Sequence, residues 1–409
     1  MNCASQLSVM TLLARVKKSI ILQTMIPRTI EKQIIDRLLT TNKSVIIYGP
    51  RQVGKTTLAK SIIKKLKLKT LIINADEKKY SETFSSQDLA TIDRLIAGYQ
   101  LVFIDEAQRI ENIGINLKII IDSHPEMRIL ATGSSSFDLS NKVSEPLTGR
   151  VWNYNLFPIS CEELLATKTE FEYHHNLENY LLYGSYPEVF SYPKTSDQIG
   201  YLKQISTSYL YQDVLEFAEI KYADKISKLL TLVALQIGNE VSLSELGSAL
   251  EISKETVNRY LDLLEKSFVL FRLSGFSRNL RKEVTKMDKI YFYDLGIRNS
   301  LLGNFNALKY RTDLGSLWEN FLLVERMKRN HYHGHFASPY FWRTHTGSEV
   351  DYVEDYGGKL YGFEFKWNQG KARSKESWLK TYPEASYQIV NQDNFFDFIR
   401  PKDQNNFDK

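Results

Sequence analysis

One stretch limits what this chain can fold into more than any other: Gly49-Pro-Arg-Gln-Val-Gly54-Lys55-Thr56. It follows the apolar, β-rich run at 44–48 and leads into residues 57–66, whose apolar spacing is helical. The spacing G-x-x-x-x-G-K-[ST] between a strand and a helix dictates a tight turn with its backbone N–H groups facing inward. Inward N–H groups and the start of a helix make a cradle for phosphate. Gly49, Pro50, Arg51, Gln52, Val53, Gly54, Lys55, Thr56 and Thr57 are therefore the expected nucleotide contacts. Lys55 is expected to reach the β- and γ-phosphates of ATP, and the Thr56 hydroxyl to ligate Mg²⁺.

A second apolar run, Leu101-Val-Phe-Ile104, ends in Asp105-Glu106. Ligands of parallel α/β sheets bind beyond the carboxyl ends of the strands. Asp105 is expected to support Mg²⁺ and Glu106 to orient and polarise the attacking water. A strand-end Asp-Glu pair can also cap the next helix, but the preceding phosphate loop favours the metal-and-water reading. Thr132-Gly133-Ser134-Ser135-Ser136 ends a further strand, and Ser134 is the expected γ-phosphate sensor. Phosphoryl transfer also needs positive charge near the leaving oxygens. Arg150, acting in its own subunit or a neighbour's, is the first candidate, and Arg51 the second.

Strand-like runs at 44–48, 71–74, 101–104 and 128–132 alternate with helical spacing at 30–39, 57–66, 89–97 and 113–121. That alternation predicts a parallel sheet with helices on both faces, an α/β domain over residues 25–157. The chain has 409 residues, 43% hydrophobic and 25% charged, enough for two or three domains. Its net charge of +5 permits contact with nucleic acid without requiring it. Cys3 and Cys161 are the only cysteines, too few for a disulfide framework, and a reducing cytoplasmic location is expected. No apolar run is long enough to predict a membrane span. Residues 1–24 place Lys17 and Lys18 after their apolar stretch, the wrong order for a signal peptide. They read as a poorly ordered or non-native leader, with Met25 as an alternative start.

Ile26-Pro-Arg28, the phosphate loop, Phe103-Ile-Asp-Glu-Ala-Gln108, Thr132-Gly-Ser-Ser-Ser136 and Leu147-Thr-Gly-Arg150 together resemble a prokaryotic AAA+ ATPase family. In that family the AAA+ core precedes a C-terminal domain of unknown function. Later landmarks agree: Tyr183-Gly-Ser-Tyr-Pro-Glu188, Tyr209-Leu-Tyr-Gln-Asp213, Tyr293-Asp-Leu-Gly296, Leu317-Trp-Glu-Asn320 and Gly362-Phe-Glu-Phe-Lys366. The resemblance covers nearly the whole chain from Met25. It implies a P-loop NTPase core, a winged-helix region and a nuclease-like α+β fold. The expected divisions are a helical lid or linker at 158–222, a winged-helix-like domain at 223–290, a restriction-endonuclease-like domain at 291–398 and a tail at 399–409.

The residues themselves support that reading. Residues 239–273 have a helix–turn–helix rhythm, with Ser253 placed to cap the second helix. Lys254 and Arg259 on that helix, and the basic segment 272–289, are candidate DNA contacts; a protein partner fits equally well. Further on, Glu319, Asp351, Glu364 and Lys366 are similar to the Mg²⁺-binding constellation of the restriction-endonuclease-like fold. Cross-strand Glu–Lys pairing on an exposed face explains the same pattern. His331, His333 and His335 read as loop or strand histidines. The function expected is ATP binding and hydrolysis coupled to a DNA- or protein-binding module, in a chain that can self-assemble. An ATP-gated switch with little turnover and an ATP-controlled nuclease are the alternatives.

Overall fold

Apolar strands alternating with helices build a five-stranded parallel sheet in the first third of the chain. A computed structural model describes residues 26–133, 147–209, 223–277 and 287–400. Helix α1 (Glu31–Thr40) leads into β1 (Ser44–Tyr48), α2 (Lys55–Leu66) and β2 (Thr70–Asn74). Helices α3 (Lys78–Ser85) and α4 (Leu89–Ile96) precede β3 (Leu101–Asp105). Helix α5 (Ile113–Ser123), β4 (Arg128–Gly133) and β5 (Val151–Asn155) complete the sheet. Its order is β2-β3-β4-β1-β5. Every β1 residue is buried, as are Leu101 to Ile104 of β3, because helices cover both faces. The order sets β4 between β1 and β3, so the ends of β1, β3 and β4 open side by side.

The remainder is built around a second core running from Ile159 to Ile399. Among the described residues, α6 (Cys161–Leu165), α7 (Glu170–His175), α8 (Leu177–Tyr183), α9 (Thr195–Gln204) and α10 (Ala223–Leu235) come first. Helices α11 (Leu243–Leu250) and α12 (Lys254–Lys266) meet across a tight turn, where Ser253 caps α12 through the Thr256 N–H. An antiparallel ribbon of β6 (Leu270–Leu273) and β7 (Lys289–Phe292) follows. Then come α13 (Leu295–Leu302) and the 19-residue α14 (Leu314–Tyr332). The last sheet, ordered β11-β10-β9-β8, holds β8 (Ser338–Arg343), β9 (Glu349–Tyr356), β10 (Lys359–Phe365) and β11 (Ser386–Val390). Helix α15 (Lys375–Thr381) carries the crossover that makes β11 parallel to β10, and α16 (Phe395–Ile399) closes the described chain.

Three contacts knit these parts together. The chain leaving β6 bridges to β8, where the Phe276 N–H donates to the Phe341 carbonyl at 2.6 Å. Gly184, with φ +70°, packs so tightly on Asp294 that a Cβ there would lie 2.1 Å from Oδ1. That approach brings the Tyr183-Gly-Ser-Tyr segment against Tyr293-Asp-Leu-Gly, and the Ser185 N–H donates to Asp294 Oδ2 at 2.7 Å. The end of α14 enters the first core, where Tyr332 is fully buried. Its carbonyl accepts from Gln33 at 2.5 Å, and its hydroxyl accepts from the Phe157 N–H at 3.2 Å.

One local expectation changes. His331 belongs to the last turn of α14, where its Nε2 accepts the Asn155 N–H at 3.0 Å, and burial lowers its pKa to about 4. The leader at 1–24 lies outside the described residues. Among those described, no helix is long and apolar enough to cross a membrane.

Candidate nucleotide site

The loop between β1 and α2 begins where β1 leaves the sheet. A Cβ on Gly49 (φ +153°) would sit 2.2 Å from the Leu156 carbonyl oxygen, so only glycine lets the loop turn beside the end of β5. Lys55, in the first turn of α2, is buried, and its Nζ donates to the carbonyls of Gly49 (2.8 Å) and Pro50 (2.9 Å). The ammonium is thus folded over the mouth of the loop that it would share with a phosphate. Thr57 is exposed on the next position of the helix.

Thr56 and Asp105 meet across the strand ends. The Thr56 hydroxyl lies 3.0 Å and 2.9 Å from the two Asp105 oxygens. A hydroxyl beside a carboxylate is the hard-oxygen donor set that magnesium prefers, so these residues fit that ion. Thr132, at the end of β4, joins the same string. Its hydroxyl donates to Asp105 Oδ1 at 2.5 Å and accepts the Glu106 N–H at 3.2 Å. Glu106 sits in the left-handed region (φ +53°), and its Oε2 accepts from the Gln108 amide at 2.5 Å. Sequence reasoning placed a polar group at the end of this strand but selected Ser134, which lies outside the described residues. The signal for Thr132 was its position: it is the last polar side chain before the strand-ending Gly133.

The two candidate arginines part company. Arg51 is half-buried within the loop. Arg150 precedes β5 and bonds through its carbonyl to the N–H of Ser44, the first residue of β1. That is the amino end of the strand, opposite the phosphate loop. Its guanidinium is held by Asp122 at 2.9 Å. Within its own chain Arg150 therefore does not reach the site, because a five-residue strand of about 17 Å lies between.

Sequence reasoning missed Arg28. Its guanidinium spans three segments: NH1 donates to the Val53 carbonyl of the loop (2.9 Å), NH2 to the Phe157 carbonyl (2.5 Å), and Nε pairs with Glu163 of α6 (3.0 Å). Only its place in Ile26-Pro-Arg28, among the residues carrying the resemblance, marked it.

The C-terminal constellation differs from expectation. Lys289 is buried, and its Nζ lies 3.1 Å from Glu319 and pairs with Glu349 as well. The Tyr291 hydroxyl donates to Glu319 at 2.5 Å. Asp351 accepts the Phe365 N–H at 2.6 Å; burial, reinforced by Glu319, pushes its pKa up to about 8. Glu364 pairs with Lys366 at 2.8 Å and accepts from Tyr387. Among the described residues, no three His, Cys, Asp or Glu side chains are arranged to hold a metal ion. The four expected residues lie near one another all the same: Asp351 feels the charges of Glu319 and Lys366, and Lys366 pairs with Glu364. An ammonium answers the charge of Glu319, and Glu364 is turned to a lysine and a tyrosine.

Two cations of the basic segment 272–289, Arg272 and Lys289, lie among the described residues. Arg272 is bound to Asp262 (2.5 Å), Glu265 (2.7 Å) and Asn258 (3.0 Å), and Lys289 is internal. Neither guanidinium nor ammonium is presented to a phosphate backbone. Arg278, Arg281, Lys282 and Lys286 lie outside the described residues. Lys254 and Arg259 are exposed on α12.

Comparison with known proteins agrees with this layout. A family model described as an AAA domain matches residues 41–165. Two described as domains of unknown function match residues 174–308 (DUF8612) and 314–403 (DUF4143). The uncharacterized protein Rv2008c of Mycobacterium tuberculosis is 30% identical over 336 residues, covering 79% of this chain and 70% of that protein. The uncharacterized protein MJ1544 of Methanocaldococcus jannaschii is 25% identical over 315 residues, covering 72% and 69%. Among solved structures, the Thermotoga maritima RuvB Holliday junction branch migration motor is similar at 17% identity and a TM-score of 0.32. It covers 63% of this chain and 94% of that one, a likeness too slight to decide activity. By the AAA and DUF4143 matches and the 30% identical relative, the chain belongs to the family of proteins that join an AAA-type ATPase domain to a C-terminal DUF4143 domain.

Proposed function

We propose that this protein binds ATP with Mg²⁺, hydrolyses it, and passes its nucleotide state to the C-terminal part, which engages DNA or a protein. The observation that carries the reading is one hydrogen-bonded string. Thr56, Asp105, Thr132 and the Glu106 N–H are linked by contacts of 2.5–3.2 Å beside the buried Lys55. Bound Mg²⁺ would neutralise charge between the phosphates, with Thr56 and Asp105 as its protein partners. Lys55 exchanges its two carbonyl contacts for phosphate oxygens. Glu106 takes a proton from water as the water oxygen bonds to the γ-phosphorus and the bridging bond breaks, giving ADP and phosphate. Arg51 is the arginine the loop itself supplies; Arg150 would act only on the site of a neighbouring copy.

The test uses the full chain. Lys55→Ala should abolish ATP binding in calorimetry. Glu106→Gln should bind ATP yet release phosphate at least a hundredfold more slowly, the lower end of what a positioned base contributes. Turnover of Glu106→Gln at the parent rate would remove Glu106 from the role. For the partner, Lys254 and Arg259 are exposed cations in the first two turns of α12. Loss of salt-dependent DNA affinity on replacing both with alanine favours DNA contact through α12; absence of DNA binding by the parent favours a protein.

A further inference from the structure

Gln108 occupies the short 3₁₀ turn Ala107–Arg109, directly after β3 and Glu106. It is only 4% exposed, deep for a polar side chain at a strand end. Its amide nitrogen lies 2.5 Å from Glu106 Oε2. Glu106 needs such a hold. Its φ of +53° is a conformation that a residue with a Cβ adopts only when its surroundings impose it. Two contacts do so from opposite ends of the residue: the Thr132 hydroxyl on its N–H, and the Gln108 amide on its carboxylate.

We propose that Gln108 is a positioning residue for hydrolysis: it fixes Glu106 through Oε2 so that Oε1 is presented to the attacking water. A carboxylate free to rotate spends much of its time aimed away from the reacting atom, and misplacement by about 1 Å costs up to a hundredfold in rate. The chemistry needs a neutral donor at this position. A second carboxylate would repel the first, and an apolar residue would release it. Because Gln108 touches the base and not the phosphates, its loss should act on turnover and leave binding alone. The proposal rests on Glu106 being the base, so the two are tested side by side.

The experiment measures steady-state phosphate release by the full chain for Gln108→Ala, Gln108→Glu, Gln108→His and Glu106→Gln. For Gln108→Ala and Gln108→Glu, kcat should fall about tenfold with KM within about twofold, the pattern of an interaction made only in the transition state. Gln108→His, which keeps a ring N–H donor, should recover most of that loss. A residue that only filled space would lower the melting temperature and respond to side-chain volume, so the size-matched Gln108→Glu would behave as the parent. Parent kcat in Gln108→Glu, with Glu106→Gln inactive, overturns this proposal alone. Should Gln108→Ala fail to fold, the glutamate and histidine variants still decide. Parent turnover by Glu106→Gln overturns the base assignment and this proposal with it.

Discussion

Asp351 and Glu354 stand on one strand, three residues apart across a bulge, and the fold shifts their proton affinities in opposite directions. Burial acts to raise the Glu354 pKa. Arg326, which grips both its oxygens at 2.6–2.8 Å, overcomes that with help from Asn330 and Tyr352 and holds it at about 2. For Asp351 burial and Glu319 win, against Lys289, the Phe365 N–H and Lys366. The consequences for stability have opposite signs. Glu354, depressed from 4.5, contributes stability present above pH 4.5 and lost as pH falls through about 2. Asp351, raised from 3.8, contributes stability present below pH 3.8 and lost as pH rises through about 8. Urea midpoints from pH 2 to 9 should show this. Glu354→Gln should flatten the acid limb and, by leaving Arg326 buried without its partner, cost about 3–5 kcal/mol at neutral pH. An acid limb as steep as the parent's would refute the pairing. Residues of the phosphate loop were legible because their chemistry depends on spacing along the chain. Lys289 and Arg272 were misread as phosphate contacts because sequence displays a charge but not the carboxylates that tertiary structure brings to it.

Burial governs which elements were legible. Strands β1, β3 and β4 are covered on both faces and read as unbroken apolar runs. Strand β5, Val-Trp-Asn-Tyr-Asn, lies at the sheet edge, half-buried, and gave no such run. Helix α3 buries only Phe84 of its eight residues, too little for a helical signal. Strand β11 buries fully only Val390, and nothing local announces that it pairs parallel to β10. The contact between elements that matters most to the site, Arg28 on Val53, Phe157 and Glu163, joins residues up to 135 positions apart and had no local signature. It belongs to the buried class of ion pair, with side-chain exposures of 8% and 0%. Arg28→Ala should therefore cost about 3–5 kcal/mol, because Glu163 stays buried without its cation. In a double-mutant cycle with Glu163→Gln the losses should fall short of additivity by about 0.5–3 kcal/mol. Strict additivity would show that the two side chains do not act as a pair.

At the scale of the whole molecule, the two cores meet where α14 ends. Tyr332 hangs on a C-terminal helix, yet its ring is buried with the ATPase core among Phe157, Phe268 and Tyr293, themselves stacked or edge-on at 5.7–6.2 Å. Phe157 in turn shares Arg28 with the phosphate loop. A ligand on the loop thus stabilises a structure continuous with α14, and unfolding one side strips apolar cover from the other. Heating the full chain should give one calorimetric transition, raised as a unit by ATP, by about 2.7 kcal/mol at a hundredfold excess over Kd. Tyr332→Ala removes that ring and should cost about 3–5 kcal/mol, by analogy with other buried aromatics. The loss falls on the joint itself, so the transition should split in two, and only the one belonging to the ATPase core should still move with ATP. Tyr332→Phe keeps the ring and loses the hydroxyl's bonds to the Phe157 N–H and to Arg28, about 1 kcal/mol each, and should keep the single transition. A single ATP-responsive transition in Tyr332→Ala would mean that the cores are held together elsewhere, and that the end of α14 is not the path by which the nucleotide is felt.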